Sequence, residues 1–201
     1  MDKILMFIVI VLAAVVGVLF ISNMATQKST NIPAPTIALS PAPSESTQSA
    51  SPTATLKPDQ IPTAKQAVIK TSKGDIIIQL YSKEAPRTVK NFVDKAGSGF
   101  YQNLTFHRVE DWVTQGGDPK GDGTGGEKMP TELNDKPFGV GAVGVARGGD
   151  IKVSNDAQFF ITKKDASWLN KQYTNFGQVT AGMDVVNKIQ IGDKILEINI
   201  Q

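Results

Sequence analysis

The sequence predicts a mainly β domain, an antiparallel barrel closed or nearly closed and capped by two helices, preceded by a transmembrane helix and a disordered linker. Three observations predict it. From residue 66 onward, short apolar alternations recur between glycine-rich connections, the pattern of sheets built from many short strands. Only two stretches in that region carry helical spacing. The first third of the chain differs in composition. Of 21 basic and 19 acidic side chains, residues 1–65 hold only Lys3, Lys28, Lys57, Lys65, Asp2, Glu45 and Asp59, leaving 17 and 16 for residues 66–201.

Residues 4–21 form a run of 18 apolar or small residues. At about 1.5 Å per residue this is just long enough to cross a hydrocarbon core, so residues 1–21 are expected to be a transmembrane signal anchor. A cleaved signal peptide is the alternative, but its apolar core is normally shorter, and Asn23-Met24-Ala25 matches a small-x-small cleavage site poorly. Orientation is weakly encoded, because Asp2 offsets Lys3 and only Lys28 follows closely. With the amino terminus inside, the following domain is extracytoplasmic and membrane-anchored, or secreted if the segment is cleaved.

Residues 22–65 contain seven prolines and fourteen Ser or Thr and no aromatic residue. Such a tract cannot bury enough apolar area to offset its ordering entropy, so a disordered, partly polyproline linker is expected. A flexible coil of this length spans roughly 35 to 40 Å end to end.

Residues 66–201 form the folded domain. Val68, Lys70 and the run from Gly74 to Leu80 read as two strands around Ser72-Lys73-Gly74, a hairpin that opens the sheet. Pro86 belongs in the first turn of a helix whose Val89, Phe92, Val93 and Ala96 share one face, with Gly97 as its stop. Further short strands are expected at 104–108, 113–116, 142–146, 158–162, 176–179 and 195–200. A second helix runs from Met183 to about Ile189, with Val185, Val186 and Ile189 inward. About 135 residues rich in Val, Ile and Phe can bury a core without disulfides, and the chain has no cysteine. That absence excludes thiolate zinc sites and a cysteine nucleophile. Interleaved charges with a net +1 over 66–201 leave no footprint for nucleic acid.

Six blocks concentrate the candidate chemistry: Phe106-His107-Arg108, Gln115-Gly116-Gly117-Asp118, Gly123-Thr124-Gly125-Gly126, Gln158-Phe159-Phe160-Ile161, Trp168-Leu169 and Phe176-Gly177. In order and approximate spacing they resemble the cyclophilins, the peptidyl-prolyl cis-trans isomerases, over residues 66–201. The resemblance implies an eight-stranded antiparallel barrel capped by two helices, with the active groove on its outer face. It also implies an isomerase that needs no cofactor or metal, takes proline-containing polypeptides, contacts cyclosporin-type ligands and works as a monomer.

Prolyl isomerisation needs no proton shuttle or covalent step, only a held proline ring, one fixed flank of the amide and stabilisation of the twisted state. Arg108 suits the last role, since a guanidinium stays charged and presents fixed donors. Phe160, Val113, Leu169 and Trp112 are candidates for the proline pocket, with Tyr173 at its rim; taken alone, Val113 and Leu169 read as ordinary core. Gln115 and Gln158 match a peptide backbone, and the main chain near Ala146 and Arg147 can pair with substrate as an added strand. By the resemblance, Trp168 lines the groove.

The lone His107 reads as structural, since strict strand alternation turns it to the face opposite Arg108. The glycine-rich run 116–126 lacks the Gly-Lys-Ser/Thr of a phosphate loop, and its acids lack calcium-loop spacing. Asn103-Leu104-Thr105 is a glycosylation sequon, meaningful only in a glycosylating host. Four departures from the family pattern stand out, one of them a segment, 148–157, longer than in the commonest members. One residue fewer separates Arg108 from Gln115, with Glu110-Asp111-Trp112 replacing the usual Pro-Gly-Phe. Tyr173 stands where many members carry histidine, and Arg147 where many carry asparagine. The functional expectation is an isomerase assisting the folding of exported proteins, and the alternative is a proline-peptide binding module or holdase chaperone without useful turnover.

Overall fold

A computed structural model describes residues 62–201. The predicted transmembrane anchor, and all of the predicted linker but its last four residues, lie outside the described residues. Among the described residues, no helix is long and apolar enough to cross a membrane. The main chain of Ala64 and Lys65 is already tied to the domain: Ala64 O accepts from Ser82 Oγ at 2.8 Å, and Lys65 N donates to Gln201 O at 3.0 Å.

Among the described residues, nine strands and two α-helices follow in chain order: β1 (Gln66–Thr71), β2 (Gly74–Leu80), α1 (Pro86–Gly97), β3 (Phe106–Val109), β4 (Val113–Gly116), β5 (Lys128–Pro130), β6 (Ala142–Arg147), β7 (Val153–Thr162), β8 (Asn175–Ala181), α2 (Met183–Lys188) and β9 (Ile195–Ile200). Eight of the strands lie on one antiparallel path, β3-β4-β7-β6-β8-β2-β1-β9, and the short β5 pairs separately with β7. The two ends of the path meet. Asn103 N donates to Ile195 O, Ile195 N to Leu104 O and Phe106 N to Asp193 O, at 2.8, 2.8 and 2.9 Å, so the lead-in to β3 is stitched to the lead-in to β9. The expected eight-stranded barrel and its two helices are present, with β5 as an addition.

The opening hairpin turns through Ser72-Lys73, with Thr71 opposite Gly74. Its alternation holds: Ala67, Ile69, Ile76 and Ile78 are fully buried while the residues between them are not. α1 starts at Pro86, whose missing N–H costs nothing in a first turn. Its N-cap, Ala85, offers no side-chain acceptor. Glu132, far along the chain, supplies one instead, accepting from Arg87 N at 3.1 Å, Thr88 N at 2.8 Å and Thr88 Oγ1 at 2.8 Å. The C-terminus closes beyond Gly97, at Gly99. Gly99, with φ of 74°, donates to Ala96 O, and Phe100 N donates to Lys95 O, the paired bonds of a left-handed cap that favours glycine.

Two hydrophobic clusters result. The larger fills the barrel and packs Phe92 of α1 against Tyr101, Phe159 and Phe176, with ring centroids 5.4, 5.9 and 5.3 Å apart. The smaller, of Val113, Phe138, Ala142, Phe160, Ala166 and Leu169 with Trp112 and Tyr173 against it, lies on the other face of β4, β6 and β7. On β7 alone, Phe159 and Ile161 belong to the first and Phe160 to the second. β7 begins five residues before the predicted start at 158, because Val153–Asp156 carry no apolar alternation and become strand by pairing with β5 and β6.

Candidate active site

The second cluster floors a cavity of about 360 Å³ on the barrel's flank. Nine of the eleven predicted site residues line it: Arg108, Trp112, Val113, Gln115, Ala146, Arg147, Phe160, Leu169 and Tyr173. Phe160 stacks on Phe138 at 5.7 Å and meets Tyr173 edge-on at 5.8 Å. Gly144 makes the stack possible: a Cβ there would collide with the Phe160 ring and stand 2.7 Å from Phe138 Cε1. The floor is thus a fixed apolar slot, open above, and Val113 and Leu169 serve as core and pocket wall together.

Arg108 is built into a chain of polar groups across the slot. Its Nε donates to Glu110 Oε1 at 2.7 Å and its Nη1 to Gln115 Oε1 at 3.3 Å; Gln115 Nε2 then donates to Gln158 Oε1 at 2.9 Å. Gln158 ends the chain by donating to Gly123 O and Gly125 O, at 3.0 and 2.8 Å, in the glycine-rich loop. Buried and bonded on both ends of its amide, Gln158 lies behind the cavity lining and holds Gln115 and the loop in place. Asp118, also buried, anchors the same loop by accepting from Lys120 N and Gly123 N.

The shortened wall forms the turn between β3 and β4, closed by Glu110 N donating to Val113 O at 2.8 Å. Glu110 grips both sides of it. Besides Arg108, its carboxylate accepts from Trp112 Nε1 at 2.9 Å, while the Arg108 guanidinium lies 5.4 Å from the centre of the Trp112 ring. The Arg108 hydrogen bond, foremost, holds the Glu110 carboxyl below the usual range. Lys163 Nζ donates to Glu110 O, Lys163 N to Trp112 O at 2.7 Å, and Lys164 pairs with Asp111 at 2.8 Å. Trp168, 59% exposed, stands outside the cavity lining with its ring edge-on to Trp112 at 5.5 Å.

His107 departs from the expected placement. Pairing shifts between Phe106, opposite Gly116, and Arg108, opposite Gln115, so His107 is the extra residue of a β-bulge. The bulge breaks the alternation, and His107 lines the same cavity as Arg108. Its ring nitrogens are shielded and make no hydrogen bond of normal geometry. Burial is the largest influence and lowers its pKa from the usual 6.5; Asp118 opposes the shift and Arg108 adds to it. Asp122 and Gly123 also line the cavity, as a glycine-rich loop bending beside the groove would bring them, though neither is among the predicted site residues. The position of the glycine loop, set by Gln158 and Asp118, is what brings them there. Among the described residues, no three carboxylate or imidazole groups converge as metal ligands would.

The arrangement offers a fixed guanidinium beside an apolar slot, with the Gln115 amide and half-buried Ala146 and Arg147 also in its lining. Residues 66–200 match the family model described as cyclophilin type peptidyl-prolyl cis-trans isomerase/CLD. The chain is 41% identical over 140 residues to a peptidyl-prolyl cis-trans isomerase of Synechococcus elongatus, a match covering 67% of this chain and 95% of that protein. It is 42% identical over 140 residues to peptidyl-prolyl cis-trans isomerase 9 of Schizosaccharomyces pombe, covering 64% of this chain but only 22% of that longer relative. Among solved structures, a Cryptosporidium parvum cyclophilin type peptidyl-prolyl cis-trans isomerase, crystallised in the presence of the dipeptide Ala-Pro, superposes with a TM-score of 0.64 at 28% identity. That match covers 68% of this chain and 98% of that one.

Proposed function

The chain belongs to the cyclophilin-type peptidyl-prolyl cis-trans isomerase family, and we propose that it isomerises Xaa-Pro bonds in exported polypeptides on the outer side of a membrane. Rotation about the prolyl amide faces a barrier of about 18–20 kcal/mol and takes tens to hundreds of seconds unaided. In the twisted state conjugation is lost and the amide nitrogen becomes pyramidal with a localised lone pair. Arg108 stabilises that state as a donor to the prolyl amide, while Val113, Phe160 and Leu169 hold the ring. Gln115 and the main chain at Ala146 and Arg147 fix one flank of the peptide as an added strand. No covalent intermediate is required.

The observation that carries this reading is the guanidinium of Arg108, held by Glu110 and Gln115 at the edge of the Phe160 slot. Its test is a protease-free isomerisation assay, by NMR exchange on an Ala-Pro peptide, of the intact chain in mild detergent beside Arg108→Ala. A loss of about 100-fold or more in kcat/KM with an unchanged melting temperature is expected, the scale of losing one donor made for the transition state. Equal rates would remove the catalytic assignment. The second reading, a binding module or holdase, draws on the Glu110–Arg108 ion pair, which competes with substrate for the guanidinium. Peptide binding without turnover would favour it.

The outward placement rests on the apolar run at residues 4–21 and the Ser/Thr/Pro-rich tract behind it. Protease shaving of intact cells should release the domain; its protection would refute that placement. Cyclosporin-type ligands are expected to compete with peptide for the same groove.

A further inference from the structure

We propose that Arg147 makes this groove selective for acidic substrates, favouring an Asp or Glu side chain next to the proline. The inference rests on the isomerase reading above and names its substrate class. Three charged residues line the cavity: Arg108, Asp122 and Arg147. Arg108 is neutralised by Glu110 at 2.7 Å. The Asp122 carboxylate is turned into its own loop, accepting from Thr124 N at 2.9 Å and Thr124 Oγ1 at 2.7 Å.

Arg147 differs from both. Its guanidinium is held by neutral partners only: Nε donates to Gln172 O at 2.8 Å, and Nη1 donates to Gly148 O at 2.8 Å and Gly149 O at 3.4 Å. Its face lies 4.4 Å from the centre of the Tyr173 ring. Among the described residues no carboxylate pairs with it, and Nη2 has no protein partner.

Carbonyl oxygens and a ring face orient a guanidinium without cancelling its charge. Part of the ordering entropy of a long side chain is therefore spent before substrate arrives, and an N–H edge remains for a planar oxyanion. A carboxylate fits that edge. An ammonium or a second guanidinium would be repelled by the same charge, and an uncharged amide would bond more weakly. Because Tyr173 touches both Arg147 and the Phe160 ring, the cation is fixed to the wall of the proline slot.

The test compares prolyl peptides that differ only in the residue before or after proline, with Glu, Gln and Lys at each place. For the intact wild-type chain at low salt, kcat/KM for the Glu peptide should exceed that for its Gln isostere by about fivefold at one of the two places, the scale of a partly exposed ion pair. The Lys peptide should fall below the Gln peptide. In R147Q the Glu/Gln ratio should drop to about one, and in R147K it should stay above one. Raising the salt to 1 M, where the Debye length is about 3 Å, should shrink the wild-type ratio, a readout that stands even if R147Q folds poorly. A wild-type ratio near one at both places, a preference for Lys, or a Glu preference that survives R147Q would overturn the proposal. Binding followed by the fluorescence of Trp112 and Trp168 keeps the two readings apart. Absent turnover with a Glu/Gln ratio near five in affinity sinks the isomerase reading alone, whereas turnover with a ratio of one sinks only the acidic preference.

Discussion

The barrel interior and the groove on its flank are two faces of the same strands, yet different forces hold them. Phe159 and Phe160 are neighbours in sequence, both nearly fully buried, and they face opposite ways from β7. Phe159 sits among Phe92 and Tyr101, closed in by α1. Phe160 leans on Phe138 and Tyr173 beneath an open cavity, within reach of a chain of charged and amide groups. The interior is specified by apolar volume alone. The groove adds a bulge, an ion pair and a glycine loop, which bring His107, Arg108 and Asp122 to its lining.

Substitution of those two neighbours is the largest test of the contrast. Phe159→Ala should cost about 3–5 kcal/mol of stability, the range for removing a core phenylalanine. Phe160→Ala should cost less, because water from the adjoining cavity can fill the space, yet it should lose most turnover. Equal losses on chemical denaturation would erase the distinction between the faces. Next in size is Glu132→Ala, which deletes the acceptor for two main-chain N–H groups of α1. About 1–2 kcal/mol should disappear, as for loss of a side-chain cap, with kcat/KM unchanged because the helix serves the interior and not the groove.

Glu110→Ala should behave in the opposite way. Removing the carboxylate that grips Arg108 and Trp112 should lower kcat/KM about fivefold, the scale of one modest polar interaction, and leave the melting temperature unmoved. Glu110 also gives the groove an acid limb. Its carboxyl sits below the usual glutamate range, so the ion pair is intact above that range and lost as pH falls through the lowered value. Activity followed by NMR should decline there in wild type and not in Glu110→Gln.

The smallest expected effect belongs to His107. Burial, the main cause, depresses its folded pKa, so between that value and the unfolded value of about 6.5 the unfolded chain binds more proton. Stability should therefore fall as pH drops below about 6.5, and His107→Gln should flatten that slope. The chain has one histidine, which makes the assignment direct.

Much of this was legible in the residues. The opening hairpin follows from period-two alternation, and α1 from the spacing of Val89, Phe92 and Ala96. Nine predicted site residues converge because the motifs that carry them sit on β3, β4, β6, β7 and the turn after β7. Trp168 and Gln158 fell outside the lining for different reasons. Trp168 projects into solvent beyond Trp112, and Gln158 lies buried beneath the glycine loop, where it serves main-chain carbonyls that no sequence pattern marks. β5 left no signal either, since Lys128-Met129-Pro130 has neither length nor alternation and is a strand only because β7 offers it an edge.

By itself, then, the sequence determined the interior, the order of the elements and the identity of the groove's chemistry, and it alone carries the apolar run at residues 4–21. Those properties depend on local periodicity and residue type, which a linear chain displays. Tertiary structure decided the facing of His107, the neutralisation of Arg108 by Glu110, the capping of α1 by Glu132 and the uncancelled charge on Arg147. Each of these depends on which distant main-chain or side-chain atom arrives within about 3 Å, the reach of a hydrogen bond. Such proximity is created by pairing register across the barrel, and a one-residue bulge is enough to change it.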